Sequence, residues 1–199
     1  MHTRVVLFLA LILVCCSSAL AQGPGPEFWR KVACQPLDPR TKLEAIDQRY
    51  STVIIKGYTR ITTVEVNGVV VDAIDMRELG AVARARGIVI SVRGGGAGNG
   101  ARQNENRAFV DYEELEPLLN AIDSMVRVDE TTTRSPGFEA RYRTLGDLEI
   151  GVFRQTRSGT AVILSTGICD RATQTMTLDD LAKVKAMIQE AKTRLDETR

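Results

Sequence analysis

The stretch TTVEVNGVVVDAIDM, residues 62–76, decides the fold class. Asn67-Gly68 lies between two runs rich in β-branched residues. A two-residue type I′ turn needs positive φ at both central positions, and Asn-Gly supplies them at little steric cost. The stretch therefore predicts an antiparallel hairpin. Strand signals continue on both sides. Residues 52–61 (TVIIKGYTRI) precede it, while 87–93 (GIVISVR) and 107–111 (RAFVD) follow. Residues 138–145, 147–155 and 159–167 also read as strands, with 173–176 as one more.

Two segments carry the helical period instead. Leu115, Leu118, Leu119, Ile122, Met125 and Val126 fall on one face of the first. Leu181, Val184, Ile188, Ala191 and Leu195 do the same in the second. Their starts match. Asp111 with Glu114, and Thr177 with Asp180, have the N-cap and N3 spacing of a capping box. Val110 with Leu115, and Met176 with Leu181, supply hydrophobic staples. Pro117 conflicts with the first helix, because it removes a backbone donor and bends the chain. A short helix is expected within 41–50, with Leu43 and Ile46 on one side.

These signals give an α+β fold: largely antiparallel sheet with two helices packing their apolar faces on it. The strand-then-helix order occurs twice, over about residues 50–128 and 138–196. A duplicated ββββα unit is one reading of that order, and two unrelated junctions are the other. The order resembles the tandem ββββα plan of the Whirly and Pur-alpha families, which bind single strands of nucleic acid. The resemblance covers about residues 50–196 and includes no signature motif, so it implies an architecture and transfers no binding residue.

Outward from the fold, the N-terminus reads as a secretory signal. One arginine, Arg4, precedes an apolar run over about residues 5–16, and Ala19-Leu20-Ala21 closes it. Charge, apolar core and A-x-A in that order predict cleavage between Ala21 and Gln22. The run is short for a membrane span, so no transmembrane segment is expected in the mature chain. A retained anchor, or a lipoprotein using Cys15 or Cys16, is the rival reading. Residues 22–44 read as an extended Pro/Gly-rich arm in which Phe28 and Trp29 are candidate anchors. Residues 45–199 then make one domain.

Cleavage changes the chemistry. The single histidine, His2, leaves with the signal, which excludes Ser-His-Asp and Cys-His catalysis and His-ligated zinc. Arg4 leaves too, so 26 basic residues fall to 25 and match the 25 acidic ones. No excess positive field then draws the chain to nucleic acid or anionic lipid. Cys34 and Cys169 remain. In an oxidising compartment the pair is expected to form one disulfide, the alternative being two separate thiols.

The residues offer few catalytic patterns. Gly94 to Gly100 (GGGAGNG) invites a phosphate-binding reading, but no Lys-Ser or Lys-Thr follows, the G-x-G-x-x-G spacing fails, and the next element is a strand. A mobile connection between strands is expected there, and no cofactor. Glu113-Glu114 and Asp179-Asp180 sit in first helical turns, where acids complement the positive helix end. Asp72 and Asp75 point to opposite faces of a strand, so with Glu78 they make no shared metal site. Arg141 and Arg143 share one strand face and form a candidate anion-binding face, with Arg154, Arg157 and Arg171 in the same half. The competing reading is a solvated sheet face balanced by Glu139, Asp147 and Glu149. The reading that follows is a secreted or periplasmic, non-catalytic binding or structural domain with a protein or polysaccharide partner. A carboxylate- or Ser-Lys-based secreted hydrolase is the alternative, and a single-strand binder ranks behind both.

Overall fold

The computed structural model describes residues 38–66, 68–94, 104–128, 135, 137–155, 159–168 and 171–198. The described chain opens with a short helix α1, Lys42–Asp47. Four strands follow: β1 Ile54–Val66, β2 Val69–Glu78, β3 Arg84–Arg93 and β4 Glu105–Asp111. A 3-10 turn, Tyr112–Glu114, leads into α2, Leu115–Val126. Four more strands are β5 Phe138–Arg143, β6 Leu148–Gln155, β7 Gly159–Thr166 and β8 Ala172–Met176. Helix α3, Leu178–Glu197, closes the chain. The strands form two four-stranded antiparallel sheets in the orders β1-β2-β3-β4 and β5-β6-β7-β8. Among the described residues no helix is long and apolar enough to cross a membrane.

The antiparallel hairpin forms, and Asn67 of its turn lies outside the described residues. Val66 pairs with Val69, which leaves a two-residue connection, and Gly68 has φ +75°. Residues 54–66, however, make one strand where two strand signals were expected. Ile61 pairs with Val71 and Val66 with Val69. Residues 62–65 of β1 therefore face the single Val70, a bulge of four residues against one that bends the strand.

Burial differs between the sheets. In β5 half-buried and exposed residues alternate, as on a sheet with one wet face. β2 and β3 are buried almost continuously. The reason is α1, whose Leu43 and Ile46 cover Ile74, Met76, Val89 and Phe109 on the outer face of the first sheet. The main core lies on the other side. Val71, Ile88 and Ile90 meet Leu148, Ile150 and Leu164 there, with Leu118 and Ile122 of α2 and Leu181, Val184 and Ile188 of α3. Each such side chain stabilises the fold by about 1.5–3 kcal/mol relative to exposure. α3 follows the second sheet yet lies mainly across β1 and β2 of the first. α2 follows the first sheet yet touches α3 and β5. Each half thus lends its helix to the other.

Local expectations hold at α3 and fail in part at α2. Asp180 N–H donates to Thr177 Oγ1 (3.1 Å) and Thr177 N–H to Asp180 Oδ2 (3.3 Å), closing the capping box. Asp111 does not cap its own helix. Its carboxylate accepts from Lys42 N–H (2.7 Å) and Leu43 N–H (3.1 Å), the bare donors at the start of α1. The 3-10 turn delays the α-helix to Leu115, leaving Asp111 free to serve that second helix end. Pro117 falls in the first turn of α2, where its missing N–H has no intrahelical acceptor. Val126 is exposed, against expectation: it is the last residue of α2 and lies 100° round from buried Met125.

Candidate functional site

The arginines predicted to share a face do so, and they converge. In the second sheet Arg143 pairs across strands with Glu149, Glu149 with Ser165, and Ser165 with Thr173, so all four share one face. Arg141, Gly151, Ile163 and Thr175 make the next row. Glu149 is buried at 8% exposure, and its carboxylate is the meeting point. Arg143 donates to Oε2 from Nε (3.1 Å) and Nη2 (2.7 Å). Arg171 donates from Nη1 to Oε1 (3.2 Å) and from Nη2 to Oε2 (3.4 Å). Arg141 Nε lies 3.6 Å from Oε1, and the same guanidinium pairs with Glu139. Burial pushes the Glu149 carboxyl up, but the hydrogen bonds and charges of Arg143, Arg171 and Arg141 outweigh it and hold the group below the ordinary carboxylate range. Arg154, paired with Phe138 and Thr160, falls on the alternate face.

The other acidic candidates are engaged elsewhere. Asp72 takes a two-point contact from Arg60, Asp75 pairs with Arg84, and Glu78 with Arg49. No group of three metal-binding side chains occurs among the described residues. Glu113 bonds Lys42 at 2.5 Å and is held low by that contact. Burial raises its neighbour Glu114, whose Oε1 accepts from Leu145 N–H at 3.1 Å. Asp180, bonded by Lys183 and Thr177, titrates down at about 2.

Concavity gathers around β1. The bulge opens a groove of about 500 Å³ bordered by Arg60, Thr62, Val64, Val70, Arg93 and Glu105. A second groove of about 340 Å³ lies toward the strand's other end, bordered by Ile55, Tyr58, Asp75, Arg84, Arg194 and Leu195. Each holds one carboxylate, and each is ion-paired: Glu105 with Arg93 and Asp75 with Arg84. Among the described residues β1 has a strand on one side only, and residues 55–60 are all exposed. The exposed large apolar side chains gather in the same region. Tyr50, Val53, Ile55, Tyr58, Leu79 and Val82 are six of the nine in the described chain. Leu79 N–H donates to Val53 carbonyl oxygen at 2.9 Å, which places the connection between β2 and β3 beside the start of β1.

Sequence reasoning missed the bulge, the apolar gathering and the role of Glu149. Only the last had a signal: a short turn after Arg143 sets it opposite Glu149. The signal segment with Ala21 and Gln22, the arm with Phe28 and Trp29, both Cys34 and Cys169, Arg157, and residues 95–103 of the glycine stretch lie outside the described residues. At the edges of that stretch Arg93 pairs with Glu105, and Gly94 N–H donates to Asn104 carbonyl oxygen at 2.6 Å. Comparison of the chain with protein-family models, curated proteins and solved structures finds no match. The likeness to the Whirly and Pur-alpha plans therefore rests on element order alone.

Proposed function

We propose that this protein is a secreted or periplasmic, non-catalytic binding domain that takes an extended segment of a partner protein along the open edge of β1. The observation that carries the reading is that edge: thirteen residues long, exposed along 55–60, with a groove toward each end. A strand added there bonds through its main chain and sets alternate side chains on either side. Edge strands are commonly guarded by cations. Here the two candidates are drawn sideways, Lys56 onto Asp47 and Arg60 onto Asp72, which leaves the edge approachable. The exposed apolar side chains at one end of the strand add the kind of surface that marks protein contact. The secretory reading of the N-terminus supports the location.

A photo-cross-linking residue placed at Tyr58, at Ile55 or at a control position, Asn120, tests this in the secreting cell. Capture of one partner from Tyr58 and Ile55, and not from Asn120 on α2, is the expected result. Equal capture from Tyr58, Ile55 and Asn120, or none from Tyr58, overturns the reading. Robust turnover in a broad hydrolase screen overturns its non-catalytic part.

A further inference from the structure

We propose that the outer face of the second sheet is a separate binding site for an acidic saccharide, one bearing carboxylate or sulfate groups, centred on Arg143, Arg171 and Glu149. Charge is the first argument. Among the described residues three guanidiniums, Arg141, Arg143 and Arg171, share two carboxylates, Glu139 and Glu149. Among those described residues the cluster carries one more positive charge than negative. Geometry is the second. Each guanidinium has five N–H donors in a rigid fork. Glu149 engages two nitrogens of Arg143 and two of Arg171, which fixes both forks and leaves further donors for an anion. Side chains ordered beforehand lose less freedom on binding.

A third observation is independent of the arginines. Ser165 lies directly across the strands from Glu149 on this face. Its hydroxyl is buried, at 1% exposure for the residue, and has no hydrogen-bond partner among the described residues. Buried polar groups are ordinarily paired, and this hydroxyl keeps its capacity for a ligand oxygen. Beside it the face is open: a Cβ built on Gly151 meets nothing within 4 Å. Thr173 and Thr175 extend the floor with hydroxyls. None of the exposed large apolar side chains belongs to β5, β6, β7 or β8. Protein interfaces centre on buried aromatic or apolar anchors. A floor of hydroxyls and guanidiniums beside the half-buried Ile163 and Phe153 fits a charged saccharide instead.

The experiment is direct binding of the full secreted chain to immobilised oligomers: dextran sulfate, polygalacturonate, plain dextran, polyglutamate and a single-stranded oligonucleotide. Binding to the first two that weakens with salt, without binding to plain dextran, is expected. Arg143→Gln and Arg171→Gln should each weaken it roughly tenfold or more, the scale of one charge-assisted hydrogen bond. Ser165→Ala should weaken it without lowering the melting temperature, a split that a structural role would not produce. Lys192→Gln, on α3, should leave it unchanged. Unaltered affinity in both arginine variants overturns the site. If those variants fold poorly, exposed Arg141→Gln and Ser165→Ala carry the test, and no loss in either overturns it. Equally tight binding of polyglutamate or the oligonucleotide overturns the saccharide assignment.

Discussion

Replacing Gly146 with alanine tests how the two halves are joined. Gly146 lies in the turn between β5 and β6, against the backbone of Phe109 in β4. A Cβ there would overlap the Phe109 carbonyl oxygen, and would lie 3.0 Å from the carbonyl carbon and 3.2 Å from the nitrogen. All three are backbone atoms, and Phe109 is paired with Val89 in the ladder, so no rotamer change relieves the overlap. The turn must retreat. Its ties stand on either side: Leu145 N–H to Glu114 Oε1 at 3.1 Å, and Asp147 to Arg40. Overpacking of this kind costs about 1–3 kcal/mol, and a loosened charge-assisted bond adds to it. We expect a loss of about 3 kcal/mol, which for a chain of this size lowers the melting temperature by roughly 6–12 °C. Gly151→Ala is the control. Its Cβ has open space, and the unfolded chain loses freedom, so stability should rise by about 0.4–1 kcal/mol. Urea denaturation of both variants gives the answer. Shifts in the same direction, or a neutral Gly146→Ala, would refute the packing described at this seam.

Two further outcomes are expected. Asp111→Ala removes both acceptors for the first N–H groups of α1 and should cost about 1–2 kcal/mol by urea denaturation, with protection of α1 lost before that of the sheets. Acid should destabilise the fold through carboxyls held low: Asp75, Glu78, Glu113, Glu149 and Asp180. Their folded values lie below the unfolded ones of about 4, so the stability they contribute is present above that range and is lost as pH falls through the folded values. Glu114 has the opposite sign. Its folded value is raised by burial, so its contribution is present at low pH and fades as pH rises through that value. Glu114→Gln, which keeps an acceptor for Leu145 N–H, should therefore raise the melting temperature at neutral pH and not in acid.

What the sequence made legible was local. Asn67-Gly68 marked the hairpin because positive φ is a property of one or two residues. Thr177 and Asp180 marked the start of α3 because a capping box spans four. The strand face shared by Arg141 and Arg143 followed from a period of two. What it hid was distant or cumulative. Asp111 serves α1 from 69 residues away, so its spacing to Glu114 pointed to the wrong helix. The bulge in β1 arises from pairing, with four residues set against one, and nothing in TTVE announces it. The near-continuous burial of β2 reflects a second cover, α1, on a face that an antiparallel sheet often leaves wet. Glu149 read as one of three balancing acids, because its three arginines come together only when β5, β6 and the segment before β8 are in register.

Residue-resolved amide hydrogen exchange over 54–61 tests the central claim, that the outer edge of β1 is the surface for a partner strand. In an antiparallel pair alternate amides point toward the neighbouring strand. The free protein should show protected amides, bonded to β2, alternating with fast ones that face outward. Bound to the segment captured at Tyr58, the fast set should slow while the protected set and the amides of β5 stay as they were. Protection of both sets in the free protein, or slowing confined to the second sheet, would contradict the account.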